Sequence, residues 1–208
     1  AERLFAGLPG GELADPPPEA GPAEARTHVV DRPGVQTHIV TGGRAISHAD
    51  PRRFALVLVS NALGGGMSSR LFQRVREELG LAYAVFTFQS FYRVGGTVGV
   101  YVGTRPEWAD HAEQVIAEEL RRVAAEGLTA TELADAKGQM KGQMVLGLES
   151  PGGRVYRLAL QELYNEPRRS IDDLMARVDA VTRDESAEVA AEFLDPERWL
   201  TVRLGPTH

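Results

Sequence analysis

The chain contains no cysteine, so it can build neither a disulfide framework, nor a thiolate metal site, nor a cysteine nucleophile. That fits a reducing compartment, and a cytoplasmic location is the expectation. It also lacks any block of basic residues: 23 Lys and Arg are outnumbered by 29 Asp and Glu, for a net charge of −6. Such a balance offers no sequence-independent grip on phosphate backbones or anionic lipid, so nucleic acid and membrane surfaces are excluded as expected partners. Long apolar runs are missing too. The longest, Phe54 to Val59, falls far short of the ~20 residues a bilayer crossing requires, and no charged-then-apolar export signal opens the chain. Catalytic signatures are equally scarce. Among His28, His38, His48, His111 and His208 no pair stands at i, i+4, and neither H-E-x-x-H nor its inverted form occurs. No G-x-S-x-G elbow is present. The expectation is a chain with no metal centre of its own.

What is present is the composition of a globular domain: of 208 residues, 43% are apolar and 25% charged, enough to bury a sizeable core in one large domain with appendages. Residues 1–26 hold Pro9, the run Pro16-Pro17-Pro18, Pro22 and several glycines, which predicts an extended linker. Residues 27–208 are the expected domain. Val35 to Thr41, bounded by Pro33-Gly34 and Gly42-Gly43, has the β-branched content and punctuation of a strand. Arg52 to Leu63 follows Asp50-Pro51; it reads as a capped buried helix, while Leu56 to Val59 taken alone passes for a buried strand. Ser68 or Ser69 can cap a helix over Arg70 to Leu79, whose stripe is Leu71, Phe72, Val75 and Leu79, with Gly80 at a left-handed C-terminal position. Residues 81–89 and 97–103 alternate as an antiparallel hairpin around Gly95-Gly96, Ala82, Ala84, Phe86 and Phe88 sharing one face and Tyr83, Val85, Thr87 and Gln89 the other. Helix starts are predicted at three capping boxes, Thr104-x-x-Glu107, Thr129-x-x-Glu132 and Thr182-x-x-Glu185, and at Ser150-Pro151. Trp199 to Leu204 reads as a closing strand. The fold class is α+β, with helices packed on a largely antiparallel sheet.

Two features could carry chemistry. Gly64-Gly65-Gly66 precedes a helix and could cradle a phosphate, but no lysine follows at the Walker position and the next element is a hairpin, not a parallel strand. The alternatives are a flexible connection or a loop past which another backbone, such as a peptide, runs closely. Arg76 lies about 85° from the centre of the apolar stripe at 100° per residue, closer to the buried side than Arg70 or Arg74. It suits either a functional role or simple complementation of the helix C-terminus, and Tyr83 suits either a functional role or a place on a strand face.

The run Asn61-Ala62-Leu63-Gly64-Gly65-Gly66-Met67-Ser68-Ser69-Arg70-Leu71-Phe72-Gln73, continued by Arg76-Glu77-Glu78-Leu79-Gly80-Leu81-Ala82-Tyr83, resembles the C-terminal half of insulinase/pitrilysin-type zinc metallopeptidases, in particular the bacterial relatives of mitochondrial processing peptidase. The likeness runs on through Lys137-Gly138-Gln139 and Asp179-Ala180-Val181-Thr182 and covers nearly all of residues 27–205. It implies one half of a bilobed clamshell and settles Arg52 to Leu63 as helix. It implies that zinc belongs to the complete enzyme, held by H-x-x-E-H and a distal glutamate of the N-terminal half, and not to this chain. Ala1 to Leu8 would then be the tail of the preceding half. It further implies that Arg76 and Tyr83 reach a peptide substrate across the chamber, and that Gly64, Gly65 and Gly66 form a loop at its mouth. The expected function is the non-catalytic, substrate-binding half of a zinc endopeptidase acting on extended peptides or presequences, inactive alone and active with a zinc-bearing half or a homologous subunit. A homodimer is a further expected assembly, and a proteolytically inactive structural subunit of the same fold is the alternative function.

Overall fold

A computed structural model describes residues 6–7 and 26–206. The linker read over residues 1–26 lies outside the described residues apart from residues 6–7 and Arg26, and His208 lies outside them as well. Arg26 already belongs to a strand that the sequence patterning did not mark, β1 (Arg26–Asp31). It is followed by β2 (Thr37–Ala45), α1 (Arg53–Gly64), a π-helical segment (Phe72–Glu78), β3 (Ala82–Phe91) and β4 (Gly96–Thr104). The second half holds α2 (Ala109–Glu126), α3 (Ala130–Gly147), α4 (Pro151–Leu163), α5 (Ile171–Ala180), α6 (Arg183–Phe193) and β5 (Leu200–Gly205).

The strands form one five-stranded sheet in the order β1-β5-β2-β4-β3. Only β1 and β5 pair in parallel; every other neighbour is antiparallel. The expected α+β fold, with helices on a largely antiparallel sheet, is therefore what the chain adopts. Because side chains alternate along a strand, the register puts Ile39, Thr41, Val85, Val98, Val100 and Val102 on one face, and all six are buried, with Thr87 and Gln89 half-buried beside them. Leu56, Leu58, Val59 and Leu63 of α1 and Ile116, Leu120 and Val123 of α2 complete the core. The segment expected as a buried helix over Arg52 to Leu63 is helical from Arg53 to Gly64. The expected side-chain cap does not form at Arg52, the residue before the helix; Asp50 receives the Arg52 N–H on its carboxylate at 2.9 Å in a turn just ahead of it.

The opposite face of the sheet carries Val40, Phe86, Tyr101, Leu200 and Leu204. Among the described residues no helix lies over it, and Val40, Phe86, Leu200 and Leu204 are exposed. Helix α4 is uncovered in a second way. None of its residues is buried; Arg157, Leu160 and Gln161 turn toward the domain, while Val155 and Leu163 stand 66% and 70% exposed. Its apolar stripe points outward, the reverse of an ordinary surface helix.

The capping boxes at Thr129 and Thr182 form as expected, and a further one joins Ser170 to Asp173. The box expected at Thr104 does not form. Thr104 ends β4, and its hydroxyl donates instead to the Leu81 carbonyl at 2.6 Å. Helix α2 is entered through a short 3-10 turn, Pro106–Trp108, without a side-chain cap. The expected Ser68 or Ser69 cap is absent too, because the Ser69 hydroxyl donates backward to the Gly66 carbonyl at 2.6 Å.

Candidate substrate-contact site

The segment expected to be an ordinary helix over 70–79 widens into a π-helix from Phe72 to Glu78. Leu79 N–H reaches the Arg74 carbonyl, five residues back, at 3.2 Å, and Leu81 N–H reaches the Val75 carbonyl at 2.9 Å. A π turn holds one residue more than an α turn and occurs often at functional sites. It also invalidates the 100° reading of this stretch. Arg70, not Arg76, is the arginine nearest the buried side: their side chains are 11% and 34% exposed. Gly80 takes the expected left-handed conformation, φ +60°, and turns the chain directly into β3.

There a second irregularity follows. Ala82 pairs with Thr104 and Ala84 with Gly103, so Tyr83 is the extra residue of a β-bulge. Bulges re-aim side chains and recur beside active sites. The simple alternation expected for this strand fails at that point: Ala82 is buried, and Tyr83, expected to share the face of Val85, is 78% exposed.

These two insertions bring Arg76 and Tyr83 together. The Arg76 Cζ lies 4.4 Å from the centre of the Tyr83 ring, and Nη1 donates to the Tyr83 carbonyl at 3.2 Å. Phe72 is the contact that sequence reasoning missed: its ring centre lies 4.7 Å from the same Cζ. The pairing Phe72…Arg76 at i, i+4 was the available signal. A shallow groove of about 260 Å³, lined in part by Gly80, Tyr83, Gly103, Arg105 and Trp108, opens beside the phenol. A larger one of about 490 Å³, lined by Arg44, Asp50, Glu192, Arg198 and Trp199, sits at the other end of β2.

Gly64, Gly65 and Gly66 lie at the end of α1, and internal packing dictates two of them. A Cβ on Gly64 would come within 2.7 Å of Thr87 N, and one on Gly65 within 2.6 Å of Asn61 Cα. The Gln139 amide donates to the Gly65 carbonyl at 2.7 Å, tying the loop to α3. Gly65 and Gly66 remain partly accessible beside Met67, which is exposed.

Arg70 serves structure. Its Nε and Nη2 donate to the two oxygens of Glu132 at 2.5 and 2.8 Å, and Nη2 also donates to the Gly127 carbonyl at 3.1 Å. With the Thr129 amide and hydroxyl added, the guanidinium holds the Glu132 carboxyl down to about 2. At the far end, His48 stacks on Tyr164 with ring centres 3.7 Å apart, near Arg53 and Glu166. Burial, and then the Arg53 charge, lower the His48 pKa against an opposing contribution from Glu166.

The described histidines lie apart from one another. His28 sits on β1, His38 hydrogen-bonds Tyr101 at 2.8 Å on the open face of β2, His48 is stacked on Tyr164, and His111 lies on α2. Among the described residues no three His, Asp or Glu side chains converge on a point that could hold a metal ion.

A family described as the Peptidase M16 inactive domain matches residues 1–140. The chain belongs to the peptidase M16 family. An uncharacterized zinc protease of Streptomyces coelicolor is 40% identical to the M16 domain over 184 residues, covering 88% of the domain and 40% of that protein. The uncharacterized zinc protease YmxG of Bacillus subtilis is 36% identical over 167 residues, covering 80% and 41%. The M16 domain thus spans about two fifths of these curated relatives. A solved peptidase M16 inactive domain from Pseudomonas fluorescens superposes with a TM-score of 0.90 at 25% identity, covering 99% of the M16 domain and 50% of that chain. An inactive peptidase domain from Bordetella parapertussis shares the fold, with a TM-score of 0.73 at 19% identity over 86% of this chain and 95% of that chain. This M16 domain is thus the non-catalytic kind, related to proteins named zinc proteases.

Proposed function

We propose that this M16 domain is the substrate-binding half of a cytoplasmic zinc endopeptidase that cleaves extended peptides or presequences, and that it works only when closed against a zinc-bearing H-x-x-E-H half or homologous subunit. The juxtaposition of Arg76 and the exposed Tyr83, produced by a π turn and a β-bulge at one corner of the fold, carries this reading. Together they present a guanidinium and a phenol, two hydrogen-bond donors. Such donors suit a peptide carbonyl oxygen that gains negative charge during hydrolysis, where one well-placed donor is worth roughly 3 kcal/mol. Neither can generate a nucleophile, so their part is to bind and orient the scissile carbonyl. The partly accessible Gly65 and Gly66, with Gly64 anchoring them, form the wall past which the peptide backbone runs. The uncovered sheet face and the outward stripe of α4 support closure against another body. A homodimer of this chain alone would bring two sets of carbonyl-binding donors together with no activating metal.

The test is cleavage of a quenched fluorescent peptide by the complete protease containing this domain. The Arg76→Ala and Tyr83→Phe proteins should each lose about 100-fold in kcat. Undiminished cleavage by both would remove their role. No cleavage by the wild-type assembly of any peptide offered, with zinc present, would favour the structural-subunit alternative.

A further inference from the structure

We infer that Phe72 is a positioning residue for Arg76, fixing the pose in which the guanidinium is offered to substrate; the inference rests on the substrate role proposed above. A free arginine side chain samples many rotamers, and holding it in one costs side-chain entropy. Arg76 is partly exposed, and among the described residues it engages no bidentate carboxylate; Glu77 lies 3.5 Å from Nε. What restrains it is aromatic. Two ring centres, of Phe72 and Tyr83, lie 4.7 and 4.4 Å from Cζ, and one N–H is spent on the Tyr83 carbonyl. Both distances are inside the range in which a ring quadrupole attracts a guanidinium.

The two rings are not equivalent. Tyr83 is itself exposed and stands in a bulge, so it cannot be the fixed reference for Arg76. Phe72 is half-buried at the first position of the π segment, one residue from the fully buried Leu71. Phe72 is thus the anchored ring, and it transmits the rigidity of the core through Arg76 to Tyr83. An aliphatic side chain of similar size would fill the same space without the quadrupole.

Cleavage kinetics of the complete protease test this. Phe72→Leu should lower kcat about tenfold with KM within twofold of wild type, and Phe72→Trp and Phe72→Tyr should restore kcat, with thermal midpoints of all three close to wild type. In an Arg76→Ala background, Phe72→Leu should cost nothing further, the non-additivity expected of groups acting as one unit. An activity-independent readout is the Arg76 Hε resonance, displaced by ring currents in the wild type and shifted toward its free-arginine position by Phe72→Leu. Wild-type kcat in Phe72→Leu while Arg76→Ala is slow, or multiplicative effects in the double variant, would overturn the positioning role alone. Wild-type rates for Arg76→Ala would instead overturn the substrate role, and this inference with it.

Discussion

Arg76 and Tyr83, seven positions apart, touch because each stands in an element that holds one residue too many: a π turn for the arginine and a bulge for the tyrosine. A regular helix entering a regular strand would leave the phenol on the face of Val85. The exposure of Tyr83 means that the fold gains little from its ring. Tyr83→Ala should therefore leave the thermal midpoint within about 2 °C of wild type, checked by calorimetry, while cleavage by the complete protease falls.

Glycines in this chain separate into two classes with opposite expected responses. Gly64 faces Thr87 too closely for a Cβ, whereas Gly138, exposed within α3, has open space around it and ordinary helical backbone. Gly64→Ala should destabilise the domain by about 1–3 kcal/mol. Gly138→Ala should stabilise it by roughly 0.5–1 kcal/mol, through helix propensity and a less flexible unfolded chain. Urea unfolding midpoints of the two variants measure both signs.

Acid should unfold the domain in two windows. Glu132 ordinarily titrates near 4.5 and is held down to about 2 in the fold by Arg70. A depressed carboxyl stabilises above its unfolded value, so this contribution is complete above pH 4.5 and disappears as pH falls toward 2. With screening at this partly exposed pair it amounts to about 1–2 kcal/mol, and Glu132→Gln should remove that share of the pH dependence, leaving the contributions of Asp50 and Asp173, whose pKa values are lowered as well. His48 has its pKa lowered chiefly by burial. The unfolded chain therefore binds the proton more readily, and stability drops as pH falls below about 6.5. His48→Gln should flatten that upper window.

The outward stripe of α4 makes a separate prediction about closure. Val155→Glu together with Leu163→Glu alters two exposed positions, so the melting of the isolated chain should be unchanged. Binding to the zinc-bearing half proposed above, measured by titration calorimetry, should weaken at least tenfold. Unaltered affinity would show that this face lies outside the contact between halves.

Much of the fold is legible in residue order because its signals are local. The boxes at Thr129 and Thr182 need only four consecutive positions, and the buried stripe of α2 needs only the helical period. The hairpin around Gly95-Gly96 is equally local. The box at Thr104 is a false local signal, since its hydroxyl finds a better acceptor, Leu81 O, on a neighbouring strand. Strand β1 escaped notice because its partner is β5, at the other end of the chain. Glu132 reads as a cap, and its second role, pairing with Arg70 across 62 positions, is invisible in one dimension.

Residue order alone determined the α+β class and the want of a metal-binding histidine pair, since periodicity, spacing and residue type are properties of the chain itself, while Arg76 and Tyr83 were singled out only through the resemblance of their motif to a family. Tertiary structure decided that Arg76 and Tyr83 meet, that Phe72 joins them, and that Arg70 rather than Arg76 turns inward. The reason is that a bulge exists only relative to a partner strand, and a π turn only where surrounding packing outweighs the regular hydrogen-bond ladder.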